Sequence, residues 1–310
     1  MNTNSKIYIS GHKGLVGSAV VRALKDRGFT NLILKTHKQL ELLDDKLVAD
    51  FFVREKPEYV FMAAAKVGGI LANRDYSAEF IYENLKVQNN IIHNAYLSGV
   101  KKLLFLGSSC IYPRNALQPI KEEYLLTNEL EPTNEAYAIA KIAGIKMCQS
   151  YNKQYGTNFI CAMPTNLYGI NDNFDQQSAH VLPALIRKFY DAKIKNKKKV
   201  TIWGTGTPRR EFLYVDDLAS ALVFLMEKYN ETEIINVGVG EDITIIDLAK
   251  KIASIIGFKG EIVTDISKPD GMPRKLLNVS RLLNLGWKPR VSLDEGIDLT
   301  YQWYIKNKND

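Results

Sequence analysis

The chain has 310 residues, 24% of them charged and 46% hydrophobic, with a formal net charge of +7. That length supports a substantial core without staples, and three cysteines (Cys110, Cys148, Cys161) with no metal-ligand or Cys-x-x-Cys spacing argue against a disulfide framework, a structural zinc or another metal site. No stretch approaches the ~18 apolar residues of a membrane span, and the opening MNTNSKIYIS has no apolar signal region, so a cytoplasmic protein outside the membrane is expected.

Short apolar or β-branched runs alternate with amphipathic stretches along the first half. KIYIS, NLILKT, YVFMAAA, KKLLFLGSS and NFICAMPTN have the character of strands, and Leu15 to Arg27, Lys46 to Lys56, Phe80 to Ser98 and Asn134 to Tyr155 that of helices. Repeated βαβ of this kind, with strands apolar along their length, predicts a doubly wound parallel α/β sheet of Rossmann type covered on both faces. After Pro164, clusters of Gly, Pro, Asn and Asp in YGINDNFD and WGTGTPRRE loosen the pattern. A domain change near Asn166 is therefore expected. Residues 1–165 plus about 212–238 form the nucleotide-binding domain, and about 166–211 plus 239–310 a smaller α+β domain for the substrate. Much of the positive charge sits in Lys193 to Lys199 (KIKNKKK), which reads as a solvated helix end; no aromatic-and-basic module accompanies it, and nucleic acid is not an expected partner. A mildly basic balance suits a small phosphate-bearing ligand instead.

Gly11, His12, Lys13, Gly14, Leu15, Val16 and Gly17 follow the first strand and open the first helix. In that setting glycines permit a tight turn, admit backbone N–H groups to a pyrophosphate and let helix and strand pack closely. The acid that would bind the ribose hydroxyls of NAD at the end of the second strand is missing. Lys35 and His37 stand there, with Lys13 in the loop, a set suited to the 2′-phosphate of NADP(H), although exposed loop residues would look the same.

Tyr137 and Lys141 lie four apart near the start of a helix and share a face. A lysine ammonium about 4 Å from the phenol oxygen would favour its anion by roughly 4 kcal/mol at an effective dielectric of 20, lowering the tyrosine by about three pKa units. The strand end KKLLFLGSSC supplies Ser108, able to polarise a carbonyl at the edge where doubly wound sheets bind ligands.

Glycine loop, serine-bearing strand end and Tyr-x-x-x-Lys in this order resemble the extended short-chain dehydrogenase/reductase family. Over nearly the whole chain, GHKGLVGSA, AAAKVGGI, LGSSCIYP, EPTNEAYAIAKIAGIK, MPTNLYG, SAHVLPALIRKF, WGTGTPRREFLYVDD and SKPDGMPRKLL further resemble the family's GDP-L-fucose synthases, NADPH-dependent 3,5-epimerase/4-reductases of GDP-4-keto-6-deoxy-mannose. The resemblance implies that Ser108, Tyr137 and Lys141 form the reductive triad and that Cys110 and His180 exchange protons during epimerisation. It implies that Gly11 to Gly17, Leu106, Gly107, Ser109, Pro164, Thr165, Asn166, Leu167, Lys141 and His180 surround NADP(H), and that Lys188, Trp203, Arg210 and Asp270 face the GDP-sugar. Without it, Cys110 would pass for a small packed hydrophobe, His180 for a structural polar residue and Asp270 for a turn residue. It also implies a homodimer joined through the helices near Phe80 to Ser98 and Asn134 to Tyr155. Two rivals stay open: a 4-reductase of another GDP-4-keto sugar, such as a heptose, with epimerisation lost or reduced; and a silent NADP-binding scaffold or nucleic-acid binder using KIKNKKK.

Overall fold

The computed structural model describes residues 1–175, 178–268 and 270–308, and of Ile70 the backbone alone; Pro269 of SKPDGMPRKLL lies outside them. Three apolar runs, β1 (Ile7–Ser10), β4 (Lys102–Leu106) and β5 (Phe159–Pro164), are buried at every position, as strands covered on both faces must be. With β2 (Leu32–Ile33), β3 (Tyr59–Met62) and β10 (Ile235–Val237) they form a parallel sheet in the order β10-β5-β4-β3-β1-β2. NLILKT contributes only two residues because β2 is the edge strand, paired to β1 alone.

One face carries α1 (Leu15–Asp26) and α7 (Val215–Lys228), whose Ala19, Val20, Leu24, Leu218 and Leu222 close on Ile7, Ile9, Leu104 and Ile160. The other carries α2 (Asp45–Glu55), α4 (Ser77–Leu97) and α5 (Glu135–Tyr155), with Phe51, Phe52, Ile91, Ile145 and Cys148 against Tyr8, Phe105 and Phe159. A six-residue helix, α3 (Ile70–Asp75), precedes α4; the sequence does not announce it because Gly68 and Gly69 introduce it without a capping side chain.

The rest of the chain builds a second core. Strand β6 (Asn166–Tyr168) pairs with β9 (Phe212–Tyr214), β7 (Lys199–Trp203) with β12 (Glu261–Asp265), and β8 (Arg209–Arg210) lies between β11 (Ile243–Thr244) and β13 (Arg274–Lys275). Helices α6 (Val181–Ile194), α8 (Ile245–Ile256) and α10 (Leu293–Asn307) supply its apolar faces, and α9 (Ser280–Asn284) lies beside β10. The stripe Leu248, Ala249, Ile252, Ala253 and Ile256 drives α8 inward. Thr244 caps that helix by accepting the Asp247 amide at 3.1 Å, and left-handed Gly257 ends it. KIKNKKK covers the last turn of α6 and the link to β7, with Lys193 donating to the Ile256 carbonyl and Lys197 to Lys199 exposed.

One buried carboxylate ties the strands around the second core to the main sheet. Glu211, fully inaccessible between β8 and β9, accepts the amides of Val239 (2.6 Å), Gly240 (2.7 Å) and Leu277 (3.0 Å), while its own carbonyl accepts Asn166 Nδ2 at 2.7 Å. Burial pushes its carboxyl above the usual range, against the pull of the three amides. Replacing Glu211 with Ala orphans three donors at about 1–3 kcal/mol each, so we expect a loss of at least roughly 3 kcal/mol and a fall in Tm on the order of 6 °C or more. Thermal unfolding followed by circular dichroism checks this, and an unchanged Tm would show the carboxylate to be dispensable.

Candidate active site

The glycine loop is shaped by close backbone approach. Gly11 sits at φ +71°, and a Cβ there would meet the Ala64 backbone at 2.9 Å; at Gly17 it would meet the Gly11 carbonyl oxygen at 2.2 Å. Gly14 precedes α1 with no capping side chain, so the first amides of the helix have no side-chain acceptor. Beside them the His12 ring hydrogen-bonds the Lys35 backbone, leaving Nδ1 buried and unpartnered; burial and the Lys13 charge hold its pKa below the usual value. Lys13 itself is exposed and has no ion-pair partner among the described residues. The other two expected cations are engaged within the chain, Lys35 with Glu55 at 3.4 Å and His37 with Glu41 at 2.8 Å.

At the far end of β4, Leu106 and Gly107 lead into a short 3-10 turn, Ser109–Ile111. The Ser108 hydroxyl caps the turn by accepting the Cys110 amide at 3.2 Å, which brings Ser108 and Cys110 to one side. Helix α5 faces it, entered through a second 3-10 turn, Pro132–Asn134, which Glu131 braces by accepting from Thr133. From there Tyr137 hydrogen-bonds Ser108. Lys141 is buried and donates to the Leu106 carbonyl at 2.7 Å, its Nζ 5.8 Å from the centre of the Tyr137 ring. Pro164, Thr165 and Asn166 continue β5 towards the same end of the sheet, and Leu167 packs against the core that holds α1.

The electrostatics of the tyrosine differ from the expectation of a lowered pKa. Burial, with a contribution from Cys110, pushes Tyr137 well up, against the hydrogen bond to Ser108. The ammonium of Lys141 is spent on the Leu106 carbonyl rather than on the phenol, and burial brings the lysine itself down to about 8. Helical spacing places the two residues on one face, but the long lysine stem selects the nearest unsatisfied acceptor.

Cys110 has a partner that motif reading missed. Lys275 on β13, only 8% exposed, places Nζ 3.3 Å from its Sγ. Burial would raise the thiol, but Lys275, Ser108 and Arg210 together outweigh it and leave the thiol below its ordinary value. His180 immediately precedes α6; it is open to solvent on one side yet crowded by protein on the others, and burial with the charge of Lys275 holds its imidazole below the usual value. Lys275 thus acts on both residues of the expected proton-exchange pair. The only sequence signal for it was its place in SKPDGMPRKLL.

The expected sugar-nucleotide residues lie on β7 and β8, on α6 and in the chain between β12 and β13. Arg210 on β8 is half-buried and adds to the field at Cys110. Trp203, at the end of β7, is 52% exposed with the Lys268 ammonium 5.9 Å from its ring centre. Asp270 accepts the Thr205 amide at 2.7 Å and its hydroxyl at 2.9 Å, bracing the turn after β7. Lys188 donates to the Thr201 carbonyl at 2.8 Å and lines an open cavity of about 540 Å³ with Lys197, Lys198 and Lys199. None of Ser108, Cys110, Tyr137 or His180 lines that cavity, so its size does not locate the chemistry.

Residues 7–238 match the model of the NAD dependent epimerase/dehydratase family. The chain is 58% identical over 304 residues to GDP-L-fucose synthase 1 of Arabidopsis thaliana, covering 98% of this chain and 94% of that protein. Among solved structures, it resembles a GDP-6-OMe-4-keto-L-xylo-heptose reductase from C. jejuni (TM-score 0.94, 44% identity, 99% of both chains). It also resembles a GDP-L-fucose synthetase from Naegleria fowleri bound to NADP (TM-score 0.92, 30% identity, 100% of this chain and 96% of that one). With the glycine turn, the serine-bearing strand end and the Tyr137–Lys141 helix meeting at one end of a parallel sheet, the chain belongs to the NAD dependent epimerase/dehydratase family.

Proposed function

We propose that this protein is an NADPH-dependent epimerase/reductase that converts GDP-4-keto-6-deoxy-D-mannose to GDP-L-fucose. The observation that carries the proposal is the pairing of two chemistries in one site: a phenol bonded to a serine, Tyr137 and Ser108, beside a thiol bonded to an ammonium, Cys110 and Lys275. A simple reductase needs only the first.

NADP(H) suits the glycine turn. The cradle at Gly11 and Gly17 leaves no room for side chains, the uncapped start of α1 presents amides, and Lys13 remains for the adenosine phosphate. When bound, the reduced dinucleotide supplies the hydride for carbon 4 of the sugar.

The chain's own groups move protons. The ketone at carbon 4 acidifies the protons on carbons 3 and 5, and inversion at each carbon needs a base on one face and an acid on the other. Cys110 and His180 fill those roles: the thiol, held below its ordinary value, suits the base, and His180, near neutrality by residue type, returns a proton to the opposite face from its imidazolium form. Ser108 and Tyr137 hold the carbonyl oxygen as charge develops there. A phenol pushed up by burial keeps its proton until that oxygen demands it, which suits a donor in the reduction step better than a pre-ionised tyrosine would. Lys141 holds the floor of the site through the Leu106 carbonyl.

Arg210 and Lys188 suit the diphosphate and Trp203 an apolar surface of the ligand. Similarity to a heptose reductase favours, as second reading, a 4-reductase of a GDP-4-keto heptose. A cytoplasmic homodimer completes the proposal: the free thiols suit a reducing compartment, and exposed Tyr82 and Leu97 on α4 with Ile139 on α5 suit pairing through those helices.

With GDP-4-keto-6-deoxy-mannose and NADPH in heavy water, the wild type should oxidise NADPH and carry deuterium at carbons 3 and 5. Tyr137→Phe should slow NADPH oxidation about 10²–10⁴-fold while deuterium still enters. Cys110→Ala and His180→Asn should stop the label and leave a ketone that is still reduced; reduction without label in the wild type would favour the heptose-type reductase instead.

The lysine adds a pH signature. Because burial brings Lys141 down to about 8, its charge is present below that pH and lost above it. The profile of kcat/KM for NADPH oxidation should fall on the alkaline side with a midpoint near 8, and Lys141→Arg should remove that limb while lowering the rate. A flat profile from pH 7 to 10 in the wild type would show that this charge plays no part.

A further inference from the structure

Strands β8 and β13 are two residues long and run parallel in register, Arg209 opposite Arg274 and Arg210 opposite Lys275. Successive side chains of a strand point to opposite faces, so this pairing sorts four cations into two sets. Arg209 and Arg274 share one buried carboxylate, Asp242, whose Oδ1 and Oδ2 accept their Nε atoms at 2.6 and 2.5 Å. Arg210 and Lys275 make no ion pair with an acid among the described residues. Lys275 Nζ instead reaches the Cys110 sulfur, and it is nearly excluded from water there.

Its position is over-determined. The two residues after it are bonded through their amides, Leu276 to Gln118 Oε1 at 2.8 Å and Leu277 to Glu211 Oε2 at 3.0 Å. On the other side the Pro273 carbonyl accepts the Arg209 amide at 2.8 Å, so the backbone that delivers the ammonium to the thiol is anchored before and after it.

We infer that Lys275 is a positioning residue for the epimerisation: it holds the Cys110 sulfur as a thiolate turned towards the sugar, and the Arg209/Arg274/Asp242 clamp on the other face keeps Lys275 from being neutralised. The inference rests on the epimerase/reductase proposal above. The groups around the sulfur are Ser108 on its own turn, Tyr137 from α5, Lys275 from β13 and Arg210 from β8, with His180 under the same Lys275 charge. Among the described residues no carboxylate hydrogen-bonds the thiol, and the charges that bear on it most, Lys275 and Arg210, are cationic, so a thiolate gains from both.

The test reads the thiol directly, without substrate. Cys148 and Cys161 are buried, so iodoacetamide labelling followed by peptide mass spectrometry reports Cys110. In the wild type the labelling rate should reach half its maximum below the ~8.5 of an ordinary thiol. Lys275→Met should move that midpoint upward and slow labelling at pH 7 about tenfold or more, while Lys275→Arg restores the wild-type profile. If the Met variant fails to fold, Lys275→Gln, which keeps a donor but no charge, carries the same comparison. Deuterium entry into the keto sugar should show the same upward shift of its acid limb in the charge-free variant. Superimposable labelling profiles for wild type and charge-free variants would overturn the assignment while leaving the epimerase/reductase proposal intact. A shifted thiol profile in an enzyme whose wild type never exchanges carbons 3 and 5 would retain the role of Lys275 and overturn that proposal instead.

Discussion

A single buried carboxylate decides where the reactive groups can stand. Glu211 has no water to solvate it and so must collect backbone donors, and the three it collects belong to the loop after β10 and to the chain just after β13. Its neighbours in sequence are Arg210 and, across the register, Lys275. The cost of leaving any of those donors unpaired locks the main sheet, the arginine and the lysine into one frame. Cys110, from the end of β4, then meets an ammonium whose place was set by hydrogen bonds elsewhere.

The two proton-handling sets are tuned in opposite senses by the same means. Burial raises Tyr137 and keeps its proton on, whereas cations override burial at Cys110 and favour losing it. Tyr137 meets the partial negative character of Cys110, and Cys110 meets Lys275 and Arg210, so each group's tendency reinforces the other's. Under the proposed function, a site arranged this way would separate removal of a proton from carbon from delivery of a proton to oxygen.

How much of this could be read beforehand follows from the range of each interaction. The glycine turn, the strand alternation and the Tyr137–Lys141 spacing are local, and the helices Leu15–Asp26 and Glu135–Tyr155 fall within a residue of their predicted spans. Cys110 and His180 could be singled out only by family likeness, since a lone thiol beside Ser108 and a lone imidazole carry no spacing that marks them as proton carriers. The Lys275–Cys110 contact spans 165 positions and issues from a two-residue strand, beyond any periodicity. Lys141 was misjudged for the opposite reason: the spacing was right, but which acceptor its stem would choose depended on the Leu106 carbonyl, a tertiary neighbour. Lys35 and His37 likewise look free in one dimension and are balanced by Glu55 and Glu41 in three.

The bare start of α1 carries a consequence for the protein's stability. Asp44, Thr244 and Ser292 close α2, α8 and α10 with a side chain, whereas α1, like α6 and α7, starts without one. Gly14 does not close this one, so an anion that settles on those amides stabilises the first βα unit in proportion to its concentration over its dissociation constant. A phosphorylated dinucleotide seated there would by the same linkage resist the opening of this unit.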